Sequence, residues 1–430
     1  MNSDLATVLH LYRSAVRLRT SAFRGDPVAK VLSMPRGADS NAAYERVRAR
    51  GDLVRGRSGL CMTASYSVCN QLLRSDRFHA APTSAVRLRL GPASWQHSSM
   101  LVHPLDDSLA SANPPEHTAL RRIVAPLFGS QAMRARRSFV EDLVDKQLDR
   151  LHSVEPVDLI DEFALRIPSA VIADMLGLPV SDHAVFARWG IEFGATVDGA
   201  RTARERRRTH VLLAELTDYF AAAVGERRRR PGDDMISRLI AATDEGGLTE
   251  AGLLATCQAL LIGGFVTTAN IIGNAVVALS ANPEQRDIFA ANLDLAPQVV
   301  EEVLRLQAPA QYSVRVAAED TELVGGRLRR GTPIVALLAA ANRDPAVFAD
   351  PGRFHIQRPN ARDHLSFATG VHYCLGAGLA RLEGEIALRK LYERYPRLHI
   401  AGPVRYCPSR VIRGPRHLPV RCSDAARAGS

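Results

Sequence analysis

Cys374 is the residue with the clearest chemical potential in this chain, because glycines frame it on both sides. The run Phe367 to Arg381 reads F-A-T-G-V-H-Y-C-L-G-A-G-L-A-R, with Gly370 before the cysteine, Gly376 after it and His372 two residues upstream. A thiol that precedes a helix-forming run lies at a helix N-terminus, where backbone N–H groups and the helix dipole favour the thiolate. The thiolate is a strong metal ligand, and on haem iron it favours O–O cleavage.

A hydroxyl pair lies inside a long apolar segment, Thr249 to Ser280, whose composition predicts a helix. The segment contains G-G-F-V-T-T, from Gly263 to Thr268. Paired glycines cost helix stability relative to alanine, so the close approach of another group would explain them. The hydroxyl of Thr267 can accept a hydrogen bond and pass on a proton. Alternatively, both threonine hydroxyls bond only to carbonyls one turn earlier.

Two further groups of ionisable side chains have helical spacing. N-P-P-E-H-T-A-L-R, from Asn113 to Arg121, places His117 and Arg121 four residues apart on one helix face. E-E-V-L-R places Glu302 and Arg305 three residues apart, so that they can pair. Taken alone, such a pair is typical of an exposed ion pair that contributes little to stability.

Together and in this order, these runs resemble the cytochrome P-450 family. The cysteine run is similar to that family's haem-binding loop, F-G-x-G-x-H-x-C-x-G-x-x-L-A-R, with Ala368 in place of the first glycine. The G-G-F-V-T-T run is similar to the family's [AG]-G-x-[DE]-T-T, and the run at Asn113 to its D-P-P-E-H-T-x-L-R. Asn113 replaces the usual aspartate. The resemblance covers residues 110–420 and is weakest in the first hundred residues.

The resemblance implies haem b as the cofactor, with Cys374 as the iron ligand. It implies that the haem propionates are held by cationic or hydrogen-bonding side chains, namely His117, Arg121, Arg315 and His372. It also implies that a buried Glu302, Arg305 and Arg358 group supports the cysteine loop. Thr267 becomes the catalytic hydroxyl on the oxygen-binding side of the haem, and the substrate pocket is expected to include Gly263, Val266, Val314 and Ile412.

Val266 departs from the family at a position that matters for the reaction. The family has an acid there, next to the threonine, and that acid relays protons from solvent; valine cannot carry a proton. Three explanations stay open: water and another group replace the relay, substrate atoms assist, or the chemistry differs from simple hydroxylation. The hypotheses are therefore a monooxygenase of a hydrophobic small molecule in secondary metabolism, an enzyme of oxidative coupling, desaturation or peroxide use, and a non-enzymatic haem sensor.

The periodicity predicts a mainly α fold with a minor β portion, in which the haem lies between the central long helix and the cysteine-loop helix. Helices are predicted over residues 131–151, 203–230, 249–280 and 297–306, and a small sheet from strands within residues 314–336. The segment over residues 79–112 has no helical or strand periodicity, which is typical of a functional loop. We expect a single domain over residues 1–430, with residues 1–25 as an extension and 420–430 as a disordered tail.

The composition is that of a soluble globular protein, with 46% hydrophobic and 23% charged residues and a formal net charge of +10. The arginine clusters at residues 204–208 and 227–230 lack aromatic interleaving or zinc spacing, so we predict solvated helix faces and no nucleic-acid partner. A basic surface suits an acidic ferredoxin, which would bring electrons from a ferredoxin reductase.

The six cysteines show no C-x-x-C pairing, which argues against a disulfide framework or a zinc site and suits a reducing cytoplasm. Charged residues interrupt the first twenty positions, so that no signal peptide is predicted. Polar residues interrupt the most apolar stretch, Ala251 to Leu279. We therefore predict a cytoplasmic protein without a membrane anchor.

Overall fold

Helices make up most of the chain that the structure describes. This computed structural model describes residues 16–81, 101–151, 155–198 and 202–422. Residues 16–23 are helical. The helices that follow are α1 (Pro27–Ser33), α2 (Asn41–Arg48), α3 (Tyr66–Arg74), α4 (Glu116–Val124), α5 (Ser130–Leu148), α6 (Arg166–Leu176), α7 (His183–Thr196), α8 (Ala203–Arg229), α9 (Met235–Asp244), α10 (Glu250–Ala281), α11 (Pro283–Ala291), α12 (Ala296–Leu306), α13 (Leu338–Ala341) and α14 (Ala377–Arg394). Tighter 3₁₀ turns include Asp149–Leu151, Val180–Asp182 and Gly370–His372.

The strands are short and form four small sheets within the described residues. They are β1 (Val54–Arg55), β2 (Cys61–Thr63), β3 (Phe78–Ala80), β4 (Val157–Asp158), β5 (Ser313–Ala317), β6 (Thr321–Leu323), β7 (Gly326–Leu328), β8 (Pro333–Ala336), β9 (His399–Ile400), β10 (Arg405–Tyr406), β11 (Pro415–His417) and β12 (Pro419–Arg421). The largest sheet has the order β1-β2-β8-β5-β3, with β2 and β8 parallel. The others are β4-β12-β9, β10-β11 and β6-β7.

The central helix α10 organises the hydrophobic core. It begins after Thr249, whose hydroxyl accepts a hydrogen bond from the Gly252 backbone N–H at 3.1 Å and so caps the helix. It ends before Pro283, which opens α11. Among the described helices, α10 alone is long and apolar enough to span a membrane, but 72% of its most apolar window is buried inside the protein. Helices α6, α7, α12 and α14 pack around α10. A helix that is apolar on all sides is typical of such a buried position.

A glycine allows α7 to approach α10 closely. A Cβ atom on Gly190 would lie 2.1 Å from Cζ of Phe265 and 2.8 Å from Cγ2 of Val266. Phe265 is fully buried, and Val266 is 8% exposed. The contact between the two helices is therefore apolar and tight at the position where the family carries its acid.

The arginines at the end of α8 are engaged in ion pairs. Arg227 Nε lies 2.5 Å from Asp234 Oδ2, and Arg228 Nη2 lies 2.8 Å from Glu250 Oε2. These contacts tie the end of α8 to the N-termini of α9 and α10. This part of the arginine-rich sequence therefore has a structural use.

The predicted mainly α fold with a minor β portion is confirmed, and the four predicted helices agree with α5, α8, α10 and α12 to within a turn at their ends. Three details differ. Residues 321–328 form a separate hairpin, because β6 pairs only with β7 in the described sheets. Strands β1 to β3, from the first hundred residues, were not predicted and complete the largest sheet. Val420 and Arg421 belong to β12 rather than to a tail.

Two assignments stay predictions. The single domain over residues 1–430 is one of them. The other is the functional loop over residues 79–112, of which residues 82–100 lie outside the described part of the chain. Residues 1–15 and 423–430, at the predicted extension and tail, lie outside it as well.

Two glycines of α7 provide a matched test of the α7–α10 contact. Gly190→Ala should lower the free energy of unfolding by about 1–3 kcal/mol, because its methyl group has no room against Phe265. Gly194→Ala, one turn later, has no described atom within 4 Å of its Cβ and should raise that free energy by about 0.5–1 kcal/mol. Urea unfolding of the two variants measures both. Equal effects of the two substitutions would contradict the tight contact.

Candidate active site

The cysteine loop is a short, strained connection into α14. The Cys374 backbone N–H donates to the Phe367 carbonyl at 2.9 Å. Gly370 has φ +73°, and a Cβ there would lie 2.6 Å from the Leu73 carbonyl oxygen, so only glycine fits. Ala368 has φ +56°, in the left-handed region that glycine favours. The family's glycine is therefore replaced at a position whose backbone still has the glycine conformation.

The thiol of Cys374 lies in a recess of the protein. Its side chain is accessible, yet surrounding protein desolvates it enough to raise its pKa. The Gly376 backbone N–H and the charges of Arg121 and Arg381 act in the opposite direction. The Gly376 N–H favours the anion, as expected at a helix N-terminus, whereas desolvation opposes it and has the larger effect on the pKa of Cys374.

Gly263 and Thr267 form an open face on the otherwise buried helix α10. Gly263 is exposed, and a Cβ there would meet no described atom within 4 Å. Thr267, one turn later, is half-buried, and its Oγ1 donates to the Gly263 carbonyl at 3.0 Å. Thr268 donates to the Gly264 carbonyl at 3.0 Å. Both hydroxyls thus bond one turn back, and Thr267 keeps its oxygen free to accept a hydrogen bond.

A cluster of basic side chains lies beside the cysteine loop. The rings of His117 and His372 have centroids 4.3 Å apart, and neither Nε2 atom has a hydrogen-bond partner among the described residues. Arg315, which is 4% exposed, donates only to Ser313 Oγ and the Val314 carbonyl there. Burial first, and then the charges of Arg315, His117 and Arg121, lowers the pKa of His372 to about 3.

This cluster has the properties of an anion site. Burial lowers the pKa of Arg315 to about 10, and no carboxylate in the described part of the chain forms an ion pair with it. Unpaired buried charges are costly, so an anion is needed to complete the site. The two propionates of a haem fit this requirement. The described residues contain no group of three or more His, Cys, Asp or Glu side chains that could hold a metal ion.

A buried ion-pair network binds the segment that leads to the cysteine loop. Arg305 Nε and Nη2 donate to the two carboxylate oxygens of Glu302 at 2.7 and 2.8 Å. Arg358 Nε lies 3.2 Å from each of these oxygens. Glu302 and Arg305 have no exposed surface, and both arginines also donate to carbonyls in the segment 342–353. The structure therefore brings together the three residues predicted for this role.

A second carboxylate, which the sequence analysis missed, fixes the loop to α14. Arg381 Nε donates to Glu301 Oε1 at 2.6 Å, and His364 Nε2 lies 3.1 Å from Glu301 Oε2. The guanidinium of Arg381 also lies 4.6 Å from the ring centre of Phe367 and donates to the hydroxyl of Tyr373. Adjacent glutamates at 301 and 302, followed by an arginine in the cysteine run, were the available signal.

The four predicted pocket residues do not share one environment. Gly263 lies on the open face of α10, whereas Val266 packs against Gly190 of α7. Val314, in β5, and Ile412, bridged to Ala310, are half-buried against two different apolar clusters. Of the two predicted pocket residues on α10, Gly263 therefore borders open space, whereas Val266 is packed in the contact between α7 and α10.

Comparison with known proteins decides the family. A family model described as Cytochrome P450 matches residues 201–397. The "Putative cytochrome P450 140" of Mycobacterium tuberculosis is 37% identical over 413 residues, which cover 94% of this chain and 93% of the relative. The chain belongs to the cytochrome P450 family. The "Nocardicin C N-oxygenase" of Nocardia uniformis subsp. tsuyamanensis is 39% identical over 320 residues, covering 73% of this chain and 79% of that P450.

Solved P450 structures confirm the fold. The P450 CxnD, described as an enzyme for C–S bond formation in chuangxinmycin biosynthesis, superposes with a TM-score of 0.81 at 32% identity and covers 90% of this chain and 95% of its own. As a P450, the chain takes haem b as its cofactor and is an oxidoreductase of the monooxygenase type. The alternative of a non-enzymatic haem sensor is therefore set aside.

Ala368 offers a test of strain in the cysteine loop. Ala368→Gly should raise the free energy of unfolding by about 0.5–1 kcal/mol, because glycine removes the left-handed penalty while losing more chain entropy. Denaturant unfolding of the haem protein measures the change. Gly370→Ala is the matched reverse substitution and should be destabilising, since its methyl group meets the Leu73 carbonyl. A loss of stability in Ala368→Gly would contradict the strain.

The lowered pKa of Glu301 predicts that its contribution to the free energy of unfolding depends on pH. Burial alone would raise its pKa, but the hydrogen bonds and charges of His364 and Arg381 outweigh it and lower the pKa from 4.5 to about 2. This stabilisation is complete above pH 4.5 and is lost as the pH falls towards 2. Glu301→Gln should cost about 2–4 kcal/mol at pH 7, and its deficit should shrink by about 1 kcal/mol at pH 4.

Urea unfolding at both pH values measures this difference. Glu385→Gln, which breaks a more exposed pair between α14 and Arg137 of α5, is the control and should cost less than about 1 kcal/mol. A deficit for Glu301→Gln that stays constant between the two pH values would contradict the lowered pKa.

Proposed function

We propose that Cys374 is the thiolate ligand of haem iron and that His117, Arg121, Arg315 and His372 hold the haem propionates. Two features of the described residues support this proposal. The thiol is accessible in a desolvated recess, and the buried basic cluster has orphaned Nε2 atoms and an arginine without a carboxylate partner. Glu302, Arg305 and Arg358 then act as structural support, because they hold the chain that leads to the cysteine loop.

The proposed reaction is the insertion of one oxygen atom of O2 into a hydrophobic small molecule of secondary metabolism. The other oxygen atom leaves as water, so each turnover consumes two electrons and two protons. Bound haem supplies the activation of O2. The single observation that carries this function is the open face at Gly263 and Thr267 in a helix that is otherwise buried. The "Nocardicin C N-oxygenase" is a relative whose name describes such an oxygenation.

Thr267 is the residue proposed to act on protons at this face. Its hydroxyl donates to the Gly263 carbonyl, which leaves its oxygen able to accept a proton donor from the open side. Val266 cannot deliver that proton, and its contact with Gly190 leaves no room for water between α7 and α10 there. Protons must therefore reach Thr267 from its open side, through water or through groups of the substrate.

Oxidative coupling is the second candidate function, and the packing of Val266 is the observation that favours it. A coupling reaction removes hydrogen from two positions of the substrate and needs no oxygen atom in the product. The P450 CxnD, with 32% identity, is described as forming a C–S bond. Analysis of the product by mass spectrometry separates the two functions, because only oxygenation adds an atom from ¹⁸O2.

Electrons are proposed to come from an acidic ferredoxin and its reductase in the cytoplasm. Val371 and Tyr373 of the cysteine loop are 52% and 39% exposed. Arg74 donates to Thr369 of the loop, and Arg362, whose side chain is 77% exposed, adds positive charge near Glu301, from which it lies 3.9 Å away. Such a surface suits a small acidic protein that must come close to the cysteine side of the haem.

The proposed function predicts two linked results. The reduced wild type with CO should show the red-shifted Soret band of thiolate ligation, and Cys374→Ala should lose it. With a surrogate ferredoxin system and a substrate found by haem spin-state shift, Thr267→Ala should lower product formation by about tenfold or more and divert electrons to hydrogen peroxide. Thr268→Ala, whose hydroxyl is buried, is the control.

Absence of the band in the wild type would contradict the assignment of Cys374. Unchanged product yield in Thr267→Ala, with the band intact, would contradict only the role of the hydroxyl. The two outcomes are therefore distinguishable.

The ferredoxin proposal predicts salt dependence. Turnover should fall as ionic strength rises, because salt screens exposed charges beyond a separation of about 10 Å at 0.1 M. Arg362→Glu should raise the ferredoxin concentration needed for half-maximal rate several-fold, while Arg327→Glu, on the β6–β7 hairpin, should not. Steady-state kinetics at two ionic strengths measures both effects, and equal behaviour of the two variants would exclude this docking surface.

A further inference from the structure

A surface groove between α5 and α6 is not accounted for by the proposed function. Its volume is about 620 Å³, which lies in the range of small-molecule sites. Its walls include Phe139, Leu143 and Lys146 from α5, Ala170 from α6, and Val180 from the turn before α7. These residue types give the groove an apolar floor with a basic edge.

The groove is separate from the candidate active site. Ile172 of α6 faces the central helix, because its side chain is the neighbour of Gly264. Ala170 precedes it by two residues and therefore projects from the opposite side of α6. A molecule in the groove and a molecule at the open face of α10 would thus lie on different sides of α6.

The chemistry changes from apolar to basic along the groove. Phe139, Leu143 and Lys146 follow one another at helical spacing on one face of α5, and Arg150 lies in the 3₁₀ turn that continues the helix, at a total length of about 16 Å. A salt bridge of 2.6 Å joins Arg136, which precedes Phe139 by one turn of α5, to Asp174 of α6. The apolar residues therefore gather at one end, and Lys146 and Arg150 mark the other.

The apolar end exposes large hydrophobic side chains. Phe139 is 36% exposed and Val180 is 46% exposed, and Val185, just beyond the groove on α7, is 37% exposed. Single exposed apolar residues are ordinary, but a concave group of them marks a binding site. An apolar ligand would remove this surface from water.

The basic end carries charge that the described protein does not neutralise. Neither Lys146 nor Arg150 has a carboxylate partner among the described residues, and both are exposed. The other charges of the groove are paired, Arg166 with Glu162 at 2.8 Å and Asp149 with Arg394 at 3.4 Å. Two positive charges are thus available to an anion.

The floor of the groove contains one unsatisfied polar group. Gln147 lines the groove and is only 6% exposed. Its Oε1 accepts no hydrogen bond within the described part of the chain. A buried amide oxygen needs a hydrogen-bond donor, which an ordered water can provide at this point of the groove.

We propose that this groove is a second binding site, for an aliphatic carboxylate. The alkyl chain lies along Phe139, Leu143 and Val180, and the carboxylate lies between Lys146 and Arg150. Charge complementarity selects the anionic head group, and the concave apolar end selects a single chain. The proposal goes beyond the proposed function and does not depend on it.

Photolabelling of the haem protein tests this site directly. The probe is dodecanoate with a diazirine in its chain, used below its micelle concentration, with imidazole added to block the haem iron. Peptide mapping should locate the label within residues 139–150 and 166–183. The double variant Lys146→Glu/Arg150→Glu should lower the labelling there by about tenfold or more, because two attractive charges become repulsive.

Matched variants on α8 control for charge and hydrophobicity. Arg207→Glu/Arg208→Glu makes the same change of charge at exposed positions and should leave the labelling unchanged. Phe139→Asp should abolish labelling, whereas Val211→Asp, at a side chain that is 55% exposed, should not. The haem absorbance and far-UV circular dichroism confirm folding, and Phe139→Asp provides the test if the double variant fails to fold.

Three outcomes would overturn the proposal. The first is a label confined to segments outside the groove, or one that the Lys146/Arg150 variant and its α8 control reduce equally. The second is equal labelling by the methyl ester of the probe, which would exclude a role for the carboxylate. The third is binding to anionic phospholipid vesicles through Lys146 and Arg150 without labelling by monomeric probe, which would assign the patch to a membrane surface.

Discussion

The carboxylate of Glu302 is the group on which the cysteine side of this P450 depends. It is fully buried, and a buried carboxylate must be neutralised or protonated. Arg305 and Arg358 neutralise it, and their remaining N–H groups bind carbonyls of the segment that leads to Cys374. Glu383 of α14 shows the other solution, because it has no described partner and burial raises its pKa well above 4.5. The network around Glu302 therefore fixes a loop, whereas burial shifts Glu383 towards its protonated form.

The central helix imposes the complementary constraint on the opposite side of the core. Its side chains pack against helices on all sides, and Gly263 and Thr267 form a gap in that packing. The space beside Gly263 and Thr267 is therefore bordered by a helix surface without charged side chains. The basic cluster of His117, Arg315 and His372 is arranged in the opposite way, with excess charge and orphaned nitrogen atoms. A haem has an apolar ring and two anionic propionates. It therefore suits both the uncharged space beside α10 and the unpaired basic cluster.

Sequence reasoning succeeded where partners are close in the chain or belong to a long motif. Glu302 and Arg305 lie on one helical turn, and the run around Cys374 predicted the loop. Glu301 was missed because His364 and Arg381 lie 63 and 80 residues away, and nothing local marks their pairing. The sequence also could not show that Ala368 retains a left-handed backbone, because neighbouring contacts rather than its own preference impose that conformation.

The contact of Gly190 with Phe265 and Val266 determines which side chains position 266 can accommodate. Restoring an acid at position 266 would bury a carboxylate against a helix whose glycine offers no polar partner. Enlarging Gly190 to supply a partner would first collide with Phe265. Each of these substitutions made alone would therefore lower stability. A carboxylate beside Thr267 would need simultaneous changes in both helices, so that the two positions are energetically coupled.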